Sequence, residues 1–126
     1  MKIETFLQDT AVHASDYEII DISENWKISK ANHFYTHVQS RDDVEVNLPH
    51  HWQSEKNWES YTGLAEYHKT VRLNVDENCR YFLRINGAFY THRLVVNRCS
   101  FPLSEGYFCP KEYELPPELL SGAAAI

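Results

Sequence analysis

The side chains richest in chemistry stand close together in one polar stretch. Trp52, Trp58 and Tyr61 are interleaved there with His50, His51, Glu55 and Asn57. Sugar rings stack on exposed aromatic faces while polar neighbours hold their hydroxyls, so this mixture suits a carbohydrate platform. The same tryptophans equally suit plugs at the end of a β-sandwich, because Trp commonly buries its body. Tyr107 and Phe108, just before Pro110, form a second aromatic pair of the same kind.

Other chemistries find less to work with. Glycoside hydrolysis needs two carboxyl groups at a fixed separation. The chain holds 18 Asp and Glu residues, too many for pairing alone to single any out. Glu112 and Glu114 fall in a strand pattern, where a structural role is expected, and no catalytic residue is assigned. His33 and His37 are four apart and would share one face of a helix, but their segment lacks helical periodicity. No HExxH and no third ligand accompanies them, and the adjacent His50 and His51 point to opposite sides of an extended chain. Neither a metal nor a cofactor is therefore expected. There is no G-x-S-x-G elbow and no glycine-rich phosphate loop. Cys79, Cys99 and Cys109 are odd in number with no CxxC pair, which predicts free, partly buried thiols in a reducing compartment.

These residues must be positioned by a modest scaffold. The 126 residues approximate one domain, long enough to bury a core without disulfides. The aromatic share, 13 %, comes mostly from Tyr and Phe and favours pleated sheet. A net charge of −6 argues against nucleic acid as a partner. No apolar run is long enough to cross a bilayer, so no membrane partner is expected. Met1 to Thr10 includes Glu4 and Asp9 and does not read as a secretory signal, which makes the expected location cytoplasmic.

Alternation supplies the strands. Residues 1–15 form an N-terminal arm of ambiguous structure, with Ile3, Phe6 and Leu7 at helical spacing, and 16–126 form the domain. Tyr17 to Ile22 is apolar and β-branched, and Trp26 to Ser29 continues after a turn. Val44, Val46 and Leu48 share one face of a strand that Pro49 ends. His50 to Gly63 reads as a long loop with room for one helical turn. Ala65 to Val75 alternates over eleven residues and predicts one long strand. Asp76 to Asn78 is a turn, after which Tyr81, Leu83 and Ile85 alternate with Arg80, Phe82 and Arg84. Phe89 to Val96 and Tyr113 to Leu115 complete the strands, and Leu119 to Gly122 is a turn. Many short strands and no long helical period predict an all-β sandwich or barrel.

Several of these segments carry a resemblance. Val46-Asn47-Leu48-Pro49-His50-His51-Trp52 is similar to the V-x-L-P-H-D-W segment of family 2 glycoside hydrolases, the β-galactosidases, β-glucuronidases and β-mannosidases. Gly63 to Val71 resembles their G-x-x-W/Y-Y-R/K-x-F strand, and Arg93 to Asn97 their x-V-x-V-N-G strand. Pro110 to Leu115 resembles P-x-E-F-D-L, and Ser23 to Ile28 resembles the opening x-G-x-W-x-F. The pieces occur in the family's order. The resemblance implies the N-terminal sugar-binding domain of that family, a jelly-roll, galactose-binding-like sandwich that precedes a catalytic barrel holding both carboxylates.

The chain departs from the pattern at named positions. His51 stands where the family often has Asp, and Arg98 replaces the Gly of V-N-G. A loop Asp that reaches the sugar pocket in β-galactosidases falls on Gly106 here, which makes its neighbour Glu105 the candidate substitute. The family pattern continues with an apolar strand after Gly122, whereas this sequence reads Ala123-Ala124-Ala125-Ile126, so the last strand is expected to be missing. An open edge of that kind invites pairing with another chain. The expected function is thus non-catalytic carbohydrate recognition, for galactosides, glucuronides or mannosides, with Trp52, His50, His51, Trp58, Tyr61, Glu105 and Tyr107 as candidate contacts. Two other expectations stand beside it: a protein-interaction or homodimerising module that uses the open edge, and a glycosidase fragment that needs a separate barrel.

Overall fold

The computed structural model describes residues 2–7, 17–31, 44–106, 109–120 and 123–126. These residues are all-β, and their helices are two single 3-10 turns, Trp52–Ser54 and Pro117–Leu120. The strands in chain order are β1 (Lys2–Leu7), β2 (Tyr17–Asp21), β3 (Trp26–Ala31), β4 (Val44–Val46), β5 (Leu64–His68), β6 (Thr70–Arg72), β7 (Cys79–Ile85), β8 (Thr91–His92), β9 (Val95–Val96), β10 (Cys99–Ser100), β11 (Ser104–Glu105), β12 (Lys111–Leu115) and β13 (Ala123–Ala125). No helix among the described residues is long and apolar enough to cross a membrane. The chain divides into two compact units, Ser23–Lys69 and the pair of segments Met1–Ile22 and Thr70–Ile126.

The larger unit is built on a four-stranded antiparallel sheet in the order β12-β7-β1-β2. Its central strand β7 realises the alternation in the sequence, with Tyr81, Leu83 and Ile85 buried and Arg80 exposed. Leu83, fully buried, stands opposite Tyr113 of β12 and Ile3 of β1. The turn into β7 is closed by Asp76, whose carboxylate accepts the Asn78 N–H and whose carbonyl accepts the Cys79 N–H. Where the sequence leaves residues 1–15 ambiguous, Lys2–Leu7 is a strand with a partner on each side. Sheet pairing, which local spacing does not report, settles its conformation.

Three further expectations are corrected. The long strand from Ala65 to Val75 is two short ones, β5 and β6, interrupted at Lys69. Each has a different partner, β3 for the first and β13 for the second, so one unbroken alternation serves two sheets. The strand from Phe89 to Val96 is likewise divided into β8, paired with β11, and β9, paired with β10. Finally, the end of the chain does supply a strand: Ala123–Ala125 pairs with β6, and Ala124 stands opposite Val71, both buried. Alanine is depleted in strands, so three in a row carry no local signal for one. The cysteines also differ from expectation, with Cys79 half-buried but Cys99 and Cys109 exposed.

The smaller unit holds the three-stranded antiparallel sheet β4-β3-β5. Trp26 stands opposite Val46, and Ile28 opposite Val44 and Tyr67. Among its described residues, Trp26, Ile28, Ser29, Val46 and Trp58 are buried.

Candidate functional site

The loop from His50 to Gly63 is a succession of tight turns. The Ser54 N–H donates to His51 O, Glu55 to Trp52, Trp58 to Glu55 and Tyr61 to Trp58, at 3.0–3.1 Å. Each bond spans three residues, and three-residue winding places side chains i and i+3 above one another. Trp52, Glu55, Trp58 and Tyr61 occupy that spacing. Their rings meet edge to face: Trp58 and Tyr61 at 5.3 Å between centroids, Trp52 and Tyr61 at 6.4 Å.

The cluster is held from the sheet. Lys30 of β3 donates through Nζ to Asn57 O at 2.9 Å, and its ammonium lies 5.1 Å from both the Trp58 and Tyr61 rings. A cation over an aromatic face is attracted by the ring quadrupole. The Tyr61 hydroxyl donates to Leu64 O at 2.6 Å. Gly63 lets this happen, since a Cβ there would come within 2.8 Å of that hydroxyl oxygen.

Trp58 is only 2 % exposed, which corrects its place among the sugar contacts. Its ring is core, and a buried face has nothing to offer a sugar. Trp52 remains half-buried, with its indole Nε1 enclosed and without a hydrogen-bond partner among the described residues.

His50 is the pivot of a three-residue relay. Its Nε2 lies 2.9 Å from Glu55 Oε1, and its Nδ1 lies 2.9 Å from the Tyr67 hydroxyl. A carboxylate only accepts, so Nε2 carries the proton and donates to Glu55. In the neutral ring Nδ1 then accepts from the Tyr67 O–H. Burial, reinforced by the negative charge of Glu55, pushes the Tyr67 hydroxyl up to about 12, so it stays a donor throughout the physiological range. The His50 side chain is 8 % exposed, against 29 % for Glu55, which carries the relay from the interior to the surface.

Glu55 and His50 emerge into a cleft of about 400 Å³, completed by Asn25, Glu45, Val46 and Asn47. Asn25, at φ 58, donates its N–H to Asn47 Oδ1 at 2.9 Å, which ties the β2–β3 connection to the end of β4. The walls are therefore two amides, two carboxylates and an imidazole. That set can make hydrogen bonds in both directions.

The remaining candidates lie elsewhere. His51 is exposed, and its carbonyl accepts from the Ser54 N–H and, at 2.7 Å, from the Ser54 hydroxyl. Glu105 is exposed in β11 opposite Thr91 and belongs to the larger unit. Tyr107 and Phe108, like His33 and His37, fall outside the described residues. Among the described residues no group of three His, Cys, Asp or Glu side chains is arranged to hold a metal ion. Sequence reasoning missed Tyr67, Glu45, Asn25 and Asn47. For Tyr67 a signal existed in the alternation that sets Ala65, Tyr67, Lys69 and Val71 on one face.

Together the described residues make an all-β protein with a small polar cleft. Comparison with known proteins finds no matching family model, no similar curated protein and no similar solved structure.

Proposed function

We propose that this chain is a non-catalytic carbohydrate-recognition domain, of the jelly-roll kind that precedes the catalytic barrel in family 2 glycoside hydrolases. The observation that carries the reading is the cleft in the smaller unit, where His50, Glu55, Asn47, Asn25 and Glu45 meet. Neutral hydroxyls need both donors and acceptors within reach, and amides beside carboxylates provide both. The motif segments Ser23 to Ile28 and Val46 to Trp52 contribute Asn25, Val46, Asn47 and His50 to the cleft, and Glu45 and Glu55 come from beside them.

Two carboxylates in one cleft also suit hydrolysis, which needs one of them as an acid. Nitrophenyl glycosides therefore serve as the control for turnover.

Titration of the protein with methyl galactoside, methyl glucoside and methyl mannoside, read by calorimetry and by tryptophan fluorescence, tests the proposal. Saturable binding of at least one, lost in Asn47→Ala, is the expected result. Heat and fluorescence unchanged for all three would overturn it. Release of nitrophenol from the matching nitrophenyl glycosides, abolished by Glu55→Gln, would replace recognition with hydrolysis.

A further inference from the structure

The charge of the cleft walls determines which sugars fit, an inference that rests on the carbohydrate reading above. Glu45 and Glu55 line the cleft, and no Lys or Arg lines it among the described residues. Of the described lysines of the same unit, Lys69 and Lys30 are engaged elsewhere, and Lys27 and Lys56 are exposed and do not line the cleft. Lys69 donates through Nζ to the carbonyls of Glu24 at 2.7 Å and Asn25 at 3.4 Å. Lys30 is fixed on Asn57 O and over the Trp58 and Tyr61 rings. Lys27 stands opposite Glu45 in the β3–β4 register, at an exposed position.

The relay sharpens this asymmetry. With Tyr67 donating to Nδ1, His50 commits its single N–H to Glu55 Oε1. His50 therefore presents no spare donor to the cleft, while Glu55 Oε2 has no partner among the described residues. Asn47 commits Oδ1 to the Asn25 N–H, which leaves its amide NH2 as a donor beside the side-chain amide of Asn25. The walls thus accept more than they donate and bear negative charge.

We infer that the cleft selects sugars by charge, taking amino sugars ahead of neutral hexosides and rejecting uronates, with Glu45 and Glu55 as the specificity-determining residues and Tyr67 as a positioning residue acting through His50. An ammonium at a ring carbon pairs with the carboxylates. A uronate brings a third negative group to the same walls, where like charges repel more strongly than in open water.

The experiment compares glucosamine, methyl glucoside and glucuronate by calorimetry at mildly acidic pH and low salt. Glucosamine is expected to bind about tenfold or more tighter than glucuronate, with the gap shrinking as salt screens the charges. Glu45→Gln and Glu55→Gln should each narrow the gap between glucosamine and glucuronate. Tyr67→Phe should narrow it partly, and long-range nitrogen–proton correlation should show the His50 proton no longer confined to Nε2, a change that loss of packing alone would not produce. Glucuronate binding as tightly as glucosamine would overturn the inference and leave carbohydrate recognition standing. A preference that both Gln variants leave intact would remove it from this cleft. Silence from all three sugars would remove the recognition reading itself.

Discussion

Asn97 and Ala125 exchange two hydrogen bonds. The Asn97 N–H donates to Ala125 O, and the Ala125 N–H returns to Asn97 Oδ1, both at 2.8 Å. The Asn97 amide NH2 donates in turn to Leu119 O at 2.5 Å. One side chain in the turn between β9 and β10 therefore holds the end of the chain in place as β13. Asn97 is also left-handed, at φ 47, a conformation that Asn tolerates better than other residues with a side chain.

Replacing Asn97 separates these two roles. Asn97→Gly keeps the backbone but loses the side-chain bonds, at an expected cost of about 1–3 kcal/mol. Asn97→Ala loses both and should cost roughly a further 1–2 kcal/mol. Urea unfolding measures the difference. Amide exchange at Ala125 should accelerate in both variants beyond the change in global stability.

Arg98 follows Asn97 at φ 67, so it occupies the conformation that the Gly of the V-N-G pattern would adopt freely. A residue with a Cβ is strained in that conformation. Arg98→Gly is therefore expected to stabilise the protein, by up to about 1 kcal/mol, because relief of strain outweighs the added freedom of the unfolded chain. A higher urea midpoint with an unchanged slope is the expected result; a lower midpoint would show that Arg98 is held by contacts worth more than its strain.

The two loop tryptophans should behave differently. Trp58, buried against Tyr61 and Lys30, is part of the core, and Trp58→Ala should cost about 3–5 kcal/mol. Trp52 is half-buried, so Trp52→Ala should cost less and should remove most of the fluorescence that acrylamide can quench. Trp26 is fully buried and remains as the protected background. Equal destabilisation by the two variants would contradict this division.

His92 provides a pH dependence. Its Nε2 lies 2.8 Å from the Tyr113 hydroxyl, and burial, aided by the charge of Lys111, lowers its pKa below the ordinary imidazole value. The folded state thus disfavours the protonated ring. Stability is unaffected at high pH, where the ring is neutral in both states. It falls as pH drops through the unfolded value, about 6.5, and on to the lower folded one. His92→Gln should flatten that part of the stability curve, measured as urea midpoint against pH, and nuclear resonance titration of His92 should give a midpoint below that of a free imidazole.

Some of the site was readable before any coordinates. Period two marks β7 plainly, because one face of that strand is buried and the other is not. The loop from His50 to Gly63 was readable as the place where chemistry concentrates, since its aromatic and polar residues are too mixed for a strand. That Trp58 is core while Trp52 reaches the surface was not readable. Both residues have the same type and similar neighbours, and only the packing of Lys30 and Tyr61 distinguishes them. Glu45 and Asn47 sat on the polar side of a recognised strand, where a solvated residue and a cleft wall look alike.

The sequence by itself determined that this is a β protein, where its best strand runs and which loop is rich in functional groups, because alternation and composition are local properties of the chain. Only the tertiary structure decided that Lys2–Leu7 and Ala123–Ala125 are strands, that the run from Ala65 to Val75 changes partners at Lys69, and that Tyr67, His50 and Glu55 form one relay. Those outcomes depend on which backbone and side-chain groups meet across many intervening residues, and the cost of a buried, unpaired polar group is what fixes such meetings.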